Sequence, residues 1–123
     1  MYHIAILVDN RSLGQRLTNW TKHFCNEHGR FPIIELHEDL EIFYSTLKKA
    51  KPSGVIVALS GVSGLNASEH LRSLCPDCGL IWCSDLDFSL YAYRLRAEYF
   101  IKSPLSDTEL YEGLYLWMKR KYI

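Results

Sequence analysis

The chain has 123 residues, with 14 basic and 14 acidic side chains, so its formal net charge is zero. That length suits one domain, 1–123, whose core buries most of the surface an unfolded chain exposes, and the balanced charge argues against a general affinity for nucleic acid or anionic membrane. The opening apolar run is cut at Asp9 and Asn10, too soon for a secretory signal, and no later run approaches a membrane span. A cytoplasmic protein is expected, with its four cysteines as reduced thiols.

Five short apolar runs alternate with five amphipathic segments, the pattern of a parallel sheet covered by helices on both faces. Residues 2 to 8 read as a buried first strand. A helix follows, with Leu13, Leu17, Trp20 and Phe24 on one face and Gly29 as its C-terminal stop. Pro32 to Leu36 reads as a second strand, at an edge because proline cannot donate to a ladder. Leu40, Phe43, Tyr44 and Leu47 form the buried stripe of a second helix. Val55 to Leu59 lacks polar alternation and so reads as a central strand covered on both faces. After the small-residue loop Ser60 to Gly64 come a third helix over Leu65 to Leu74 and a fourth strand over Leu80 to Ser84. Asp87 is the expected N-cap of a fourth helix carrying Leu90, Tyr91 and Leu95. Tyr99 to Lys102 is the fifth strand, and Ser106-Asp107-Thr108-Glu109 reads as a capping box opening a last helix with Leu110, Leu114 and Trp117 inward.

Ligands of doubly wound sheets bind beyond the carboxyl ends of the strands, where strand order reverses. Those ends are Val8-Asp9-Asn10, Leu59-Ser60, Ser84-Asp85 and Lys102-Ser103-Pro104. Together with the opening Met1-Tyr2-His3-Ile4-Ala5-Ile6, the stretch Leu71-Arg72-Ser73-Leu74-Cys75-Pro76-Asp77, the strand Leu80-Ile81-Trp82-Cys83-Ser84 and the segment Tyr99-Phe100-Ile101-Lys102-Ser103-Pro104, they resemble a receiver domain of a bacterial response regulator from Tyr2 to about Lys119. The opening is similar to receivers that carry a LytTR-type DNA-binding domain downstream. The resemblance implies a flavodoxin-like α/β fold, with a five-stranded parallel sheet in the order 2-1-3-4-5 and five helices. It also implies phosphoryl transfer to an aspartate at the end of strand three, magnesium held by an acidic pair after strand one, and a lysine followed by a cis-proline after strand five.

The chain departs from that pattern where the chemistry sits. The acidic pair is reduced to Val8-Asp9 with Asn10 following, the phosphoacceptor position is assigned to Leu59, and the phosphate-pairing lysine becomes Ser103. Lys102 stands one position early and, by strand alternation, points to the opposite side. Only Asp9 and Ser84 keep their roles, and one carboxylate with one hydroxyl cannot both hold magnesium and activate an acceptor. Ser60 is a poor substitute, since serine needs an adjacent base and none is placed beside it by the strand ends. Asp9 also reads as a loop residue ahead of a helix capped through Asn10 or Ser12, and Ser84 as a buried hydroxyl bonded to backbone.

Other constellations carry less. Cys75-Pro76-Asp77-Cys78 has dithiol spacing, but it follows a helix instead of opening one and lacks two further zinc ligands, so its cysteines read as small hydrophobes. The five histidines are scattered, and Gly61 and Gly64 fit no phosphate-binding loop. Six of the eight tyrosines fall in the last third of the chain, on what the resemblance makes the output face of helix four, strand five and helix five. Tyr91, Tyr93, Tyr99, Tyr115 and Met118 are the expected contact residues for a protein partner or a second copy. The expectation is a phosphorylation-independent, non-enzymatic signalling module in transcriptional regulation, needing no cofactor or metal. The rival reading is a small-ligand-binding or enzymatic domain reusing the strand-end pocket, which Val8 and Leu59 make more apolar.

Overall fold

The computed structural model describes residues 3–122, with side chains through residue 120. In chain order the elements are β1 (His3–Val8), α1 (Arg11–Glu27), β2 (Ile33–His37), α2 (Leu40–Lys49), β3 (Gly54–Ala58), α3 (Val62–Leu74), β4 (Gly79–Ser84), α4 (Ser89–Arg94), β5 (Tyr99–Lys102) and α5 (Asp107–Tyr122). The strands form one parallel sheet in the order β2-β1-β3-β4-β5, a flavodoxin-like α/β fold. Met1 and Tyr2 lie outside the described residues, so the first strand is defined here from His3.

Strand alternation sorts the core onto the two faces of the sheet. Ile4, Ile6, Val8, Ile56, Ala58, Ile81, Cys83 and Ile101 pack under α1 and α5 against Leu17, Phe24, Leu110, Leu114 and Trp117. Ala5, Leu7, Val55, Val57, Leu80 and Trp82 pack under α2, α3 and α4 against Phe43, Leu47, Ala67, Leu71 and Ala92. Because β3 and β4 are buried at every position, their sequences carry no polar alternation.

The termini of the elements have local causes. Asn10 caps α1, its Oδ1 accepting from Leu13 N at 3.0 Å, and Gly29 follows the helix at φ 69°. β2 begins after Pro32, and Asp39 caps α2 through Glu41 N and Ile42 N. β3 ends at Ala58, one residue before the expected Leu59. Helix α3 begins at Val62, ahead of the expected Leu65, because Gly61 turns the chain at φ 63°. That leaves Gly64 inside the helix, where a Cβ would stand 2.9 Å from the carbonyl oxygen of Leu59. Asp87 anchors α4 from one position further out than expected: its Oδ1 accepts from Ser89 N and Oγ, while Phe88 occupies the N-cap. Ser106 Oγ accepts from Glu109 N at 3.2 Å, as the capping-box sequence predicts, and the Ser103–Pro104 peptide is cis.

Candidate functional site at the carboxyl ends of the strands

The ends of β1, β3, β4 and β5 surround a cavity of about 210 Å³ lined by Asp9, Ala58, Leu59, Ser60, Ser84, Asp85 and Ser103, among others. Leu59 and Ser60, in the three-residue loop between β3 and α3, belong to that lining, and two carboxylates fasten the loop. Asp9 Oδ2 accepts from Ser60 N at 2.9 Å and from Ser60 Oγ at 2.6 Å. Asp85 Oδ1 accepts from Gly61 N at 2.8 Å, and this bond, ahead of weaker local ones, holds the Asp85 carboxyl below its ordinary range. β1 and β4 thereby grip the start of α3 from both sides.

The remaining positions are equally committed. Ser84 is buried, and its Oγ accepts from Leu86 N at 3.1 Å, the backbone role anticipated for it. Asn10 is spent on the cap of α1. Ser103 lines the cavity and its N donates to the carbonyl of Ser84, whereas Lys102 is exposed and absent from the lining. The Lys102 charge instead adds to the lowering of the Asp87 carboxyl, which is caused first by the bonds from Ser89.

Two expectations are corrected by this geometry. Ser60 does have a carboxylate beside it, that of Asp9, because β1 and β3 are adjacent parallel strands whose carboxyl ends lie side by side; the two residues are 51 positions apart in sequence. Asp9 accepts from the backbone N and the hydroxyl of Ser60 alike, so the pair fastens the loop. The second correction concerns the end of β3. Register pairs Val8 with Ala58 and Ala58 with Cys83, all three on the α1/α5 face, while Leu59 belongs to the cluster under α2, α3 and α4. The strand-end position next to Val8 is therefore Ala58. Neither Ala58 nor Leu59 offers a carboxylate.

No family model matches the sequence, and none of the curated proteins does. Solved structures align with nearly all of it. A response regulator receiver domain from Clostridium thermocellum is 14% identical at a TM-score of 0.73, covering 98% of this chain and 97% of its own. This is the receiver-domain fold. FixJ-N, at 17% identity and a TM-score of 0.75, covers 100% of this chain and 98% of its own. The BeF3-activated DrrB receiver domain, at 16% identity and a TM-score of 0.74, covers 98% and 99%.

A receiver-fold site that binds magnesium needs several oxygen ligands around a small cation. The donors here do not fit that requirement: Val8 and Ala58 supply no oxygen from their side chains, and Asp9 and Asp85 already accept backbone N–H groups. Among the described residues, no group of three or more histidine, cysteine, aspartate or glutamate side chains is arranged to hold a metal.

On the α4–β5–α5 face of the receiver fold, Tyr91, Tyr93 and Tyr115 are exposed, Tyr93 at 82%. Leu86, just ahead of α4, and Leu90, on it, are also exposed. Met118 is corrected: at 7% exposure it packs with Leu114 and Trp117 against the sheet, because the inner stripe of α5 is wider than its leucines alone define. Tyr99 is half-buried, its hydroxyl donating to Glu112 Oε2 at 3.1 Å in an exposed bond.

Proposed function

We propose that this chain is a receiver-like signalling module of the cytoplasm that works without phosphoryl transfer, in transcriptional regulation, through protein–protein contacts or self-association on the α4–β5–α5 face. The observation that carries the reading is the fastened β3–α3 loop: Asp9 and Asp85 spend their carboxylates on Ser60 and Gly61, beside a β3 end that has no acceptor. In this reading the site has neither a ligand set nor an acceptor, and its loop is tied to the strand-end carboxylates on both sides. The output face is packed onto the core through aromatic rings. Tyr91 packs edge-on to Phe88, Phe88 stacks on Trp82, and Trp82 meets Phe100, a chain of rings running from the surface of α4 into the core between β4 and β5. The exposed Leu86, Leu90, Tyr91 and Tyr93 form the apolar centre that a protein interface requires.

The test is the melting temperature with and without magnesium and beryllofluoride. A phosphate analogue that coordinates an acceptor aspartate stabilises the folded state by mass action, so the reading predicts an unchanged melting temperature. A saturable rise would contradict it.

A further inference from the structure

At the opposite end of the sheet from the strand-end pocket lies a groove of about 910 Å³, bounded by the α3–β4 turn, the α4–β5 turn and the last turns of α5. Its charged lining comprises Arg72, Arg94, Arg96 and Arg120 against Asp77 and Glu98. Two of the arginines are structural. Arg72 is buried and donates to the carbonyl oxygens of Cys75, Cys78, Leu95 and Arg96, tying the two turns together, and Arg120 pairs with Glu98. Arg94 and Arg96 are exposed, and neither has a carboxylate partner among the described residues; Arg94 lies over the ring of Tyr91, and Arg96 reaches only the carbonyl of Pro76 at 3.4 Å.

The backbone beneath them adds a second observation. Arg96 N donates to Tyr93 O at 3.1 Å and Ala97 N to Ala92 O at 2.9 Å, the two bonds of a Schellman motif closing α4. The residue after the C-cap in that motif is left-handed and is ordinarily glycine, yet here Arg96 holds φ 58°. A non-glycine residue at this position carries a conformational cost, and the side chain it adds is a guanidinium group in the lining of a groove that also holds Arg72, Arg94 and Arg120. We propose that this groove binds a small multivalent anion, carrying phosphate or carboxylate groups, through the guanidinium groups of Arg94 and Arg96. A guanidinium group offers a fork of charge-assisted N–H donors of the kind that recognises such oxygens, and both arginines line the groove.

The test is titration calorimetry of the intact chain with pyrophosphate and with citrate, each against sodium chloride of matched ionic strength, in the wild type, Arg96→Gly and Arg94→Ala. Arg96→Gly should raise the melting temperature by roughly 3–6 °C, by relieving the left-handed arginine, yet bind the anion roughly tenfold or more weakly. Arg94→Ala should weaken binding in the same direction. A preference for pyrophosphate identifies a phosphoryl ligand and a preference for citrate a carboxylate one. The proposal is overturned if the wild type binds neither anion above the chloride control, or if the affinities are the same in all three proteins. Because Arg96→Gly is expected to gain stability, a loss of binding in it cannot be ascribed to unfolding.

Discussion

The bond of 2.6 Å from Ser60 Oγ to Asp9 joins two residues that a receiver-like reading would have assigned to separate tasks. Ser60→Ala should lower stability by about 1 kcal/mol or less, since one exposed hydrogen bond is lost while Ser60 N remains on the carboxylate; urea unfolding measures it. Asp85 predicts a pH effect. Its folded carboxyl lies below the ordinary value because Gly61 N donates to it, so the unfolded chain binds that proton more readily. The stabilisation is complete above the unfolded value, about pH 4, and is lost as pH falls through the folded one. Glu38, held down by its bond from Arg11, and Asp87 act in the same direction. Urea midpoints between about pH 2 and 6 should fall more gently in Asp85→Asn than in the wild type. At this scale the sequence was only partly legible. The Asn10 cap lies three residues from its partner and can be read locally, whereas the partners of Asp9 and Asp85 are brought close only by the parallel sheet. The choice between Ala58 and Leu59 was illegible for a different reason: β3 is apolar toward both faces, so no alternation in the sequence fixes which residue faces the pocket.

Element against element, α5 packs closely on the starts of β3 and β4 through Trp117. A Cβ at Gly79 would stand 2.2 Å from Trp117 Nε1, and one at Gly54 2.7 Å from the same ring. Gly79→Ala should therefore cost about 1–3 kcal/mol, as overpacking does in a closed core, read from the denaturant midpoint at unchanged m-value. The faces of α4 and α5 give a contrasting pair of outcomes. Tyr91→Ala and Tyr115→Ala should weaken any association through this face by roughly 1–2 kcal/mol each, measured by sedimentation, with little loss of folding stability. Met118→Ala should instead cost folding stability of about 2–4 kcal/mol, as a buried side chain does. An association constant unchanged by the tyrosine substitutions but shifted by changes on α1, at Gln15 or Lys22, would place the contact elsewhere. Tyr115 and Met118 are three residues apart on α5 and both were expected at the contact face, but helical spacing cannot say how far the neighbouring sheet reaches under either of them. The start of α3 was missed because the turn depends on the left-handed φ of Gly61, which glycine permits but does not announce.

For the molecule as a whole, the repeated exchange of apolar runs and amphipathic segments was enough to give a parallel sheet with a helical layer on each face, because a parallel strand buried on two faces and a crossover helix leave few alternatives; the strand order 2-1-3-4-5 was implied by the resemblance to receiver domains and is the order found. Solved receiver domains at 14–17% identity share that architecture along nearly the full chain. What they do not fix is the chemistry at the strand ends, where Val8, Ala58 and Ser103 stand and where the loop after β3 is bound to Asp9 and Asp85. The cavity left there, about 210 Å³, is smaller than the usual range of small-molecule sites, which weakens the rival reading of a reused ligand pocket. The most direct test of the central claim is the intact mass of the purified chain after incubation with a small-molecule phosphodonor and magnesium. The account predicts no added phosphoryl group; a stoichiometric gain of one, lost on Ser60→Ala or Asp9→Asn, would contradict it.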